Sequence, residues 1–480
     1  MNVPAPMIGR LVRLRWFWLP ALLLVALWLP GVNAGWYRTD THYYAAVGKQ
    51  AVDAAIQRGS AMPLLELMAG DRAYFNKPPL VFVIEGLTIR WLGLDIWTVR
   101  LPSLVAAIVL CVSAAGVARR LSGPRVAVLA GLVAATTIEV FRYTRAVSLD
   151  LWQAALIMLA VWCVVAGVGR LRECGQDRAW LLVLSGVPLG LALLCKPLVA
   201  LVTLPVLGVW LVTAGRGRLA VWLGLAGLVA VAIASPWHVF MALRHPEFVE
   251  IYFGRQSLER ITRGSDDTGS EPWWYYLRII GEGYWPWLVT LALGVLAWHR
   301  CGPGERDRRL LLLCAIWCGV WLLLLSLSAG KSSRYLLLVW PIAGFISAWW
   351  IARRKSAPGS RRASTRAMLW LGPAAMVAGV AAAILIPGRL IHHPRAKEWD
   401  RVLEEVSRRP GVPLYATPRA HPHAPQMVML GRDWPATWTG QTGERLMLDV
   451  ASDVGRSAAE TPRGELLVQG KDIRLFRLTE

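Results

Sequence analysis

Charge is scarce in this 480-residue chain: only 17% of its residues are Asp, Glu, Lys or Arg, where a soluble domain carries about a quarter. That shortfall excludes an ordinary cytosolic enzyme, and a hydrophobic content of 55% excludes disorder. Acids are the scarcer sign, 31 against 52 Lys and Arg. Such a balance raises the question of nucleic acid. The basic residues, however, stand mostly in short loops between apolar runs, where a membrane topology puts them, and no nucleic-acid partner is expected. Cysteine is sparse, seven in all with no CxxC pair, and Cys111, Cys163, Cys195, Cys314 and Cys318 lie inside apolar runs. Cysteines so placed behave as small buried hydrophobes, which excludes a disulfide frame or a cysteine zinc site. His238, His392 and His393 make no metal-ligand spacing with nearby carboxylates, and Asp266 and Asp267 sit in the composition of a flexible loop. No metal site is read from them.

What the chain has in abundance is apolar length and tryptophan, 26 of the latter; tryptophan is favoured at membrane–water boundaries. Runs able to span, at about 20 residues each, fall at 16–34, 98–118, 124–141, 149–169, 179–195, 197–214, 219–240, 277–298, 309–328, 333–352 and 367–387. The expectation is an all-α polytopic membrane protein of about eleven spans. The first run has no A-x-A-like cleavage site before Gly35 and reads as an anchor. Segment 78–93, with Glu85 and Arg90 inside it, is short and reads as an interfacial helix. Charge parity agrees. With that segment off the span list, Arg10/Arg13/Arg15 shares one side with Arg119/Arg120/Arg125, Arg170/Arg172/Arg178, Arg216/Arg218, Arg300/Arg306/Arg308/Arg309 and Arg353/Arg354/Lys355/Arg361/Arg362/Arg366, as the positive-inside tendency prefers. The N-terminus is then cytoplasmic. The transmembrane part covers 1–387, with long external loops at 35–97 and 241–276. The tail, 388–480, is external, periplasmic in the inner membrane of a Gram-negative cell. A helical stretch at 396–409 and β-like runs at 412–416, 465–469 and 473–478 make the tail a small α/β domain.

The external face also collects the residues able to do chemistry. Asp40 follows the first span. A carboxylate desolvated there suits a general base, and a helix N-cap opening an amphipathic helix at 43–58 would look the same. Asp150 sits where a loop meets the 149–169 run, at or just above hydrocarbon depth, where ionisable groups are rare and usually functional; the alternative is an N-cap neutralised by Arg145. Lys77 stands just ahead of Pro78-Pro79, and Lys196-Pro197 forms a tight turn between two apolar runs. Arg255, Arg260 and Arg263 recur along the second long loop, and Lys331 and Arg334 close the entrance of the 333–352 run. Each alone is accounted for by snorkelling to lipid phosphates. Together, Lys77, Lys196, Arg260, Lys331 and Arg334 describe an outward cavity for the phosphate at the end of a lipid. Tyr44, Arg145 and Trp273 are the candidates to line an acceptor or sugar pocket.

Asp40, Lys77-Pro78-Pro79, Arg100-Leu101-Pro102-Ser103, Leu149-Asp150, Lys196-Pro197, Pro236-Trp237, His245-Pro246-Glu247-Phe248, Trp273-Trp274-Tyr275-Tyr276, Pro286-Trp287 and Ala329-Gly330-Lys331 occur in that order. The series, over roughly 16–350, resembles the membrane-embedded glycosyltransferases of the GT-C superfamily. More narrowly, it is similar to the branch of protein O-mannosyltransferases and lipid A aminoarabinose transferases. The resemblance implies a GT-C-like fold and inverting sugar transfer from a polyprenyl-phosphate donor to a lipid or protein acceptor on the external face. It implies Asp40 as the acceptor-activating base, Asp150 as the second catalytic acid, and Lys77, helped by Arg260, as the holder of the donor phosphate. Lys77, in the same long loop as Asp40, is expected to matter more than Lys196. The chain departs from the family pattern at Thr41, Tyr43 and Ala46 after the first span, and at Asn76 and Gln256, the positions where a divalent metal would find its ligands. No cofactor is read from it, and the sugar stays open. A non-catalytic envelope-assembly scaffold and a lipid or solute transporter are the rival classes.

Overall fold

The computed structural model describes residues 15–30, 32, 39–168, 177–196, 199–264, 271–301, 304–354, 396–409, 411–416, 436–437, 445–450, 464–469 and 473–478. The chain divides into two compact units, one of Met1–Pro30, Phe75–Leu80 and Ser103–Ala382, the other of Gly31–Tyr74, Val81–Pro102 and Ala383–Glu480.

The first unit is a bundle of apolar helices. Among the described residues, Ile96–Leu121, Leu149–Gly167, Gly217–Arg244 and Asp307–Leu327 are each long and apolar enough to cross a membrane unaided. Trp18–Trp28, Pro124–Ala135, Ala179–Leu193 and Val199–Thr213 are shorter apolar helices. The chain is a multi-pass membrane protein. Four of the expected runs are not continuous helices, and each break has a local cause. The run at 179–195 is interrupted at Ser185, whose hydroxyl donates back to the Leu182 carbonyl (2.5 Å). The run at 124–141 ends its first helix at Ala135. There the hydroxyls of Thr136 and Thr137 donate back to the carbonyls of Leu132 (2.6 Å) and Val133 (2.9 Å), a competition with the ladder that bends helices. The run at 277–298 is two helices, Tyr275–Gly283 and Trp287–Arg300, bent by 112°, because Pro286 brings no N–H to continue the ladder. The run at 333–352 opens as a 3₁₀ turn, Ser333–Leu338, before the Trp340–Arg354 helix. The run at 367–387 lies outside the described residues.

Close packing between helices uses small side chains. A Cβ on Gly186 would stand 2.3 Å from the Ala226 carbonyl, and one on Gly190 2.9 Å from that of Ala230. Two small residues four apart on each helix thus let the backbones meet, the device that apolar helices use where lipid is as greasy as leucine. Tryptophan has two roles. Trp91, Trp180, Trp273 and Trp285 are exposed, as boundary residues are. Others are internal pins whose indole N–H finds a partner. Trp28 donates to the Thr144 carbonyl (3.1 Å), Trp210 to that of Arg309 (3.1 Å), Trp317 to that of Leu338 (2.8 Å) and Trp287 to the Thr136 hydroxyl (3.0 Å).

In the second unit the helix Thr39–Arg58 is followed by a one-turn helix, Met62–Leu65, and a two-stranded hairpin, Met68–Ala69 with Arg72–Ala73. Gln50 clasps the hairpin turn: its amide donates to the Gly70 carbonyl (2.6 Å) and accepts from the Gly70 N–H (3.0 Å). The helix Leu80–Leu92 has 13 residues, about 20 Å at 1.5 Å each, too short for a hydrocarbon core of about 30 Å. It crosses Thr39–Arg58 where Gly86 meets Gly48; a Cβ on Gly86 would lie 2.1 Å from the Gly48 carbonyl. Tyr44, Tyr74 and Phe82 pack edge to face beside Tyr43, whose phenol burial pushes up to about 12. Glu85 is fully buried, neither carboxyl oxygen has a hydrogen-bond partner, and burial pushes its carboxyl well above the ordinary range.

Beyond residue 388 the described residues form the helix Ala396–Ser407 and a five-stranded sheet ordered Ala436–Thr437, Leu414–Ala416, Arg445–Val450, Ile473–Leu478, Glu465–Gln469. The pairs made by Leu414–Ala416 are parallel and the others antiparallel. Val402 and Val406 of the helix share a core with Leu446, Leu448, Val468 and Leu475. The strands at 436–437 and 445–450 have no counterpart in the sequence reading.

Candidate active site

Asp150 is the centre of the site in the first unit. The helix Leu149–Gly167 begins there because Ser148, in extended backbone, caps it: its hydroxyl accepts from the Leu151 N–H (3.2 Å). Asp150 is therefore not the cap, and its carboxylate turns to partners brought by other helices. Lys196, in the turn after the Gly186–Leu193 helix, donates to Asp150 Oδ1 at 2.6 Å. Arg334, at the entrance of the 3₁₀ turn, places Nε 3.7 Å from Oδ2. Lys77 lies close enough to act on the same carboxylate electrostatically. Three cations thus share one carboxylate, an excess that suits a polyanion.

Each cation is held. The Lys196 carbonyl accepts from the Gln153 amide (3.0 Å), and its ammonium lies 4.6 Å from the centroid of the Tyr335 ring, a cation–π contact. Lys77 is 6% exposed and donates to Gln256 Oε1 at 3.2 Å. Gln256 belongs to a π-helical stretch, Glu250–Glu259, a rare form that is frequent at functional sites. An aromatic cluster of Phe75, Trp237, Phe248 and Tyr252 anchors that stretch, and Tyr252 Oη lies 3.1 Å from His238 Nε2. The second long loop is tied to the Lys331–Arg334 turn by the Ala329 N–H, which donates to the Ile261 carbonyl (2.8 Å). The Ser332 N–H donates to Tyr276 Oη (3.2 Å).

The structure separates the remaining candidates. Lys331 is buried and donates to the Ser328 carbonyl (2.5 Å), a turn-closing contact. Arg145 does not neutralise Asp150: its guanidinium donates to the carbonyls of Trp28 (3.1 Å) and Pro30 (2.5 Å), tying down the end of the first helix. Trp273 is 70% exposed. The Arg260 side chain lies outside the described residues. Asp40 and Tyr44 belong to the second unit. Asp40 sits in the first turn of Thr39–Arg58 and is exposed. Two residues escaped the sequence reading. Tyr335 adjoins the Lys331–Arg334 turn and carries no mark of its own in one sequence. Gln256 was noted only as a departure, and here it is the partner of Lys77. Among the described residues no group of three His, Cys, Asp or Glu side chains converges; Gln256, one of the two positions considered for a metal, accepts from the Lys77 ammonium.

The fold is one that solved membrane glycosyltransferases share. It superposes on the crystal structure of ArnT from Cupriavidus metallidurans bound to undecaprenyl phosphate with a TM-score of 0.72, at 18% identity over 97% of this chain and 98% of the other. The archaeal oligosaccharyltransferase AglB from Archaeoglobus fulgidus superposes with a TM-score of 0.56, at 11% identity over 92% of this chain and 70% of that one. In sequence, residues 76–240 match the dolichyl-phosphate-mannose-protein mannosyltransferase family. Within the class, the chain resembles the aminoarabinose transferase branch. It is 29% identical over 68% of its length to the undecaprenyl phosphate-alpha-4-amino-4-deoxy-L-arabinose arabinosyl transferase of Erwinia tasmaniensis, and 29% identical over 78% to that of Pectobacterium carotovorum. Those matches span 58% and 65% of the relatives' own lengths.

Proposed function

We propose that this protein transfers a sugar from an undecaprenyl-phosphate-type donor to a lipid A-type acceptor, with inversion, in the bacterial inner membrane. The observation that carries the reading is the excess of cations around Asp150: Lys77, Lys196 and Arg334 against one carboxylate. The chemistry follows from it. An acceptor oxygen attacks the anomeric carbon, the bond from that carbon to the donor phosphate breaks, and the lipid phosphate leaves with the electron pair. The departing oxygen gains negative charge in the transition state, and fixed cations stabilise it more than they stabilise the bound donor. Asp150 has one oxygen on Lys196 and the other facing Arg334, so it serves as the positioning anion for the cations. The acceptor proton falls to Asp40, the carboxylate that the family resemblance assigns to it. An aminopentose is the first sugar to test, since the relatives' names carry it.

Replacing Lys77 tests the reading. Loss of one charge-assisted contact costs about 1.5–3 kcal/mol, so Lys77→Ala is expected to lower kcat/KM roughly 10- to 150-fold with a short-chain polyprenyl-phosphate sugar. Lys77→Arg is expected to recover part of it, because a guanidinium forks where an ammonium is a point charge. Steady-state kinetics in detergent reads both, and an unchanged kcat/KM for Lys77→Ala would place the phosphate elsewhere.

The active face is proposed to be periplasmic, with the N-terminus cytoplasmic and the tail external, on the strength of charge parity. Single cysteines introduced at Glu398 and at Arg354 are expected to differ with an impermeant maleimide in outer-membrane-permeabilised cells. The first is labelled and the second protected; the reverse pattern overturns the orientation.

A further inference from the structure

The second unit contains a groove of about 690 Å³ that the proposed transfer does not use, a size typical of small-molecule sites. Val52, Ala55 and Ile56 of the Thr39–Arg58 helix line one wall, and Leu87, Arg90 and Trp91 of the Leu80–Leu92 helix line the other. Both sets follow the three-and-four spacing that puts residues on one helix face. Leu64 of the one-turn helix also lines it. Arg90 is the one charged side chain among the described residues that line the groove, and no described carboxylate pairs with it. The lip is apolar and open: Ile56 is 55% exposed, Trp91 77% and Leu92 47%.

We infer that this groove binds a membrane glycerophospholipid, one acyl chain along the apolar walls and the phosphodiester on Arg90. Depth supports the assignment. Trp91 and Leu92 stand just before Ile96, where the 26-residue membrane-length helix begins, so the lip lies at headgroup level. Exposed tryptophan is favoured at that level, and an arginine with its stem on apolar surface and its guanidinium at the boundary meets lipid phosphate there. A soluble metabolite would need several converging polar side chains to fix its orientation; here the described lining offers one cation, Arg90, and one hydroxyl, Ser60 on the turn with Gly59 and Ala61, and its other side chains are apolar. The single positive charge matches the single negative charge of a phosphodiester.

Delipidated full-length protein titrated with dioleoylphosphatidylglycerol, and followed by native mass spectrometry, tests the assignment. One lipid per chain is expected. Arg90→Ala is expected to weaken retention about tenfold, as loss of one charge-assisted contact does, while Arg90→Lys retains most of it. Leu87→Trp, which fills the slot, is expected to abolish binding, and Lys77→Ala to leave it unchanged. Equal retention by wild type, Arg90→Ala and Leu87→Trp overturns the proposal. A photo-crosslinking residue at Leu64 in the otherwise unaltered chain gives a second measurement in native membranes. A phospholipid adduct supports the assignment; an adduct of polyprenyl phosphate, lipid A or protein, or no adduct, overturns it.

Discussion

Asp150→Asn is expected to cost both activity and stability. The substitution keeps shape but removes the anion between Lys196 and Arg334, each of which is less than a quarter exposed. Removing one member of a buried ion pair costs about 3–5 kcal/mol, because the surviving charge stays desolvated. On the proposed mechanism the cations then lose the position from which they meet the donor phosphate, and kcat/KM for transfer is expected to fall by on the order of 10³-fold, about 4 kcal/mol. A positioning role is separable from a merely structural one. Asp150→Glu is expected to restore the melting temperature more fully than kcat, since a longer carboxylate still neutralises the two cations but displaces them. Wild-type kcat/KM in Asp150→Asn would remove Asp150 from the site.

The second large effect is expected at Asp40. Asp40→Asn is expected to lower kcat by about 10²–10⁴-fold, the usual contribution of a general base, with the melting temperature nearly unchanged. The structure favours that separation. Asp40 is exposed in the first helical turn, and Asn is a good residue near a helix start. Turnover and thermal unfolding measured on one preparation decide the matter; an active Asp40→Asn protein would leave Asp40 with a local role at the helix terminus.

The sequence carried the membrane class, the positions of most helices and all three cations around Asp150, and the reasons are physical. Hydropathy reports burial in lipid, so Ile96–Leu121 and Leu149–Gly167 stand out. A lysine beside prolines is conspicuous wherever it falls, as at Lys77. Hydropathy is indifferent to direction, so the break between Gly283 and Trp287 read as a single span. Pairings across distance were the main loss. Asp150 and Lys196 are 46 residues apart and Lys77 and Gln256 are 179 apart, and no local pattern joins them. Arg145, five residues from Asp150, was the obvious partner and proved to serve two carbonyls of the first helix instead. Lys196, ranked below Lys77 for want of a neighbour, holds the closest contact to Asp150.

Glu85 has a consequence for folding itself. An unfolded chain releases the proton of a glutamic acid near pH 4.3, whereas the buried carboxyl keeps it to a higher pH. Between those two points the native state binds one proton more than the unfolded state, so folding there is a proton-uptake reaction and is weakened as the medium becomes more alkaline. The helix Leu80–Leu92 thus links the protein's assembly to the acidity of the compartment in which it folds.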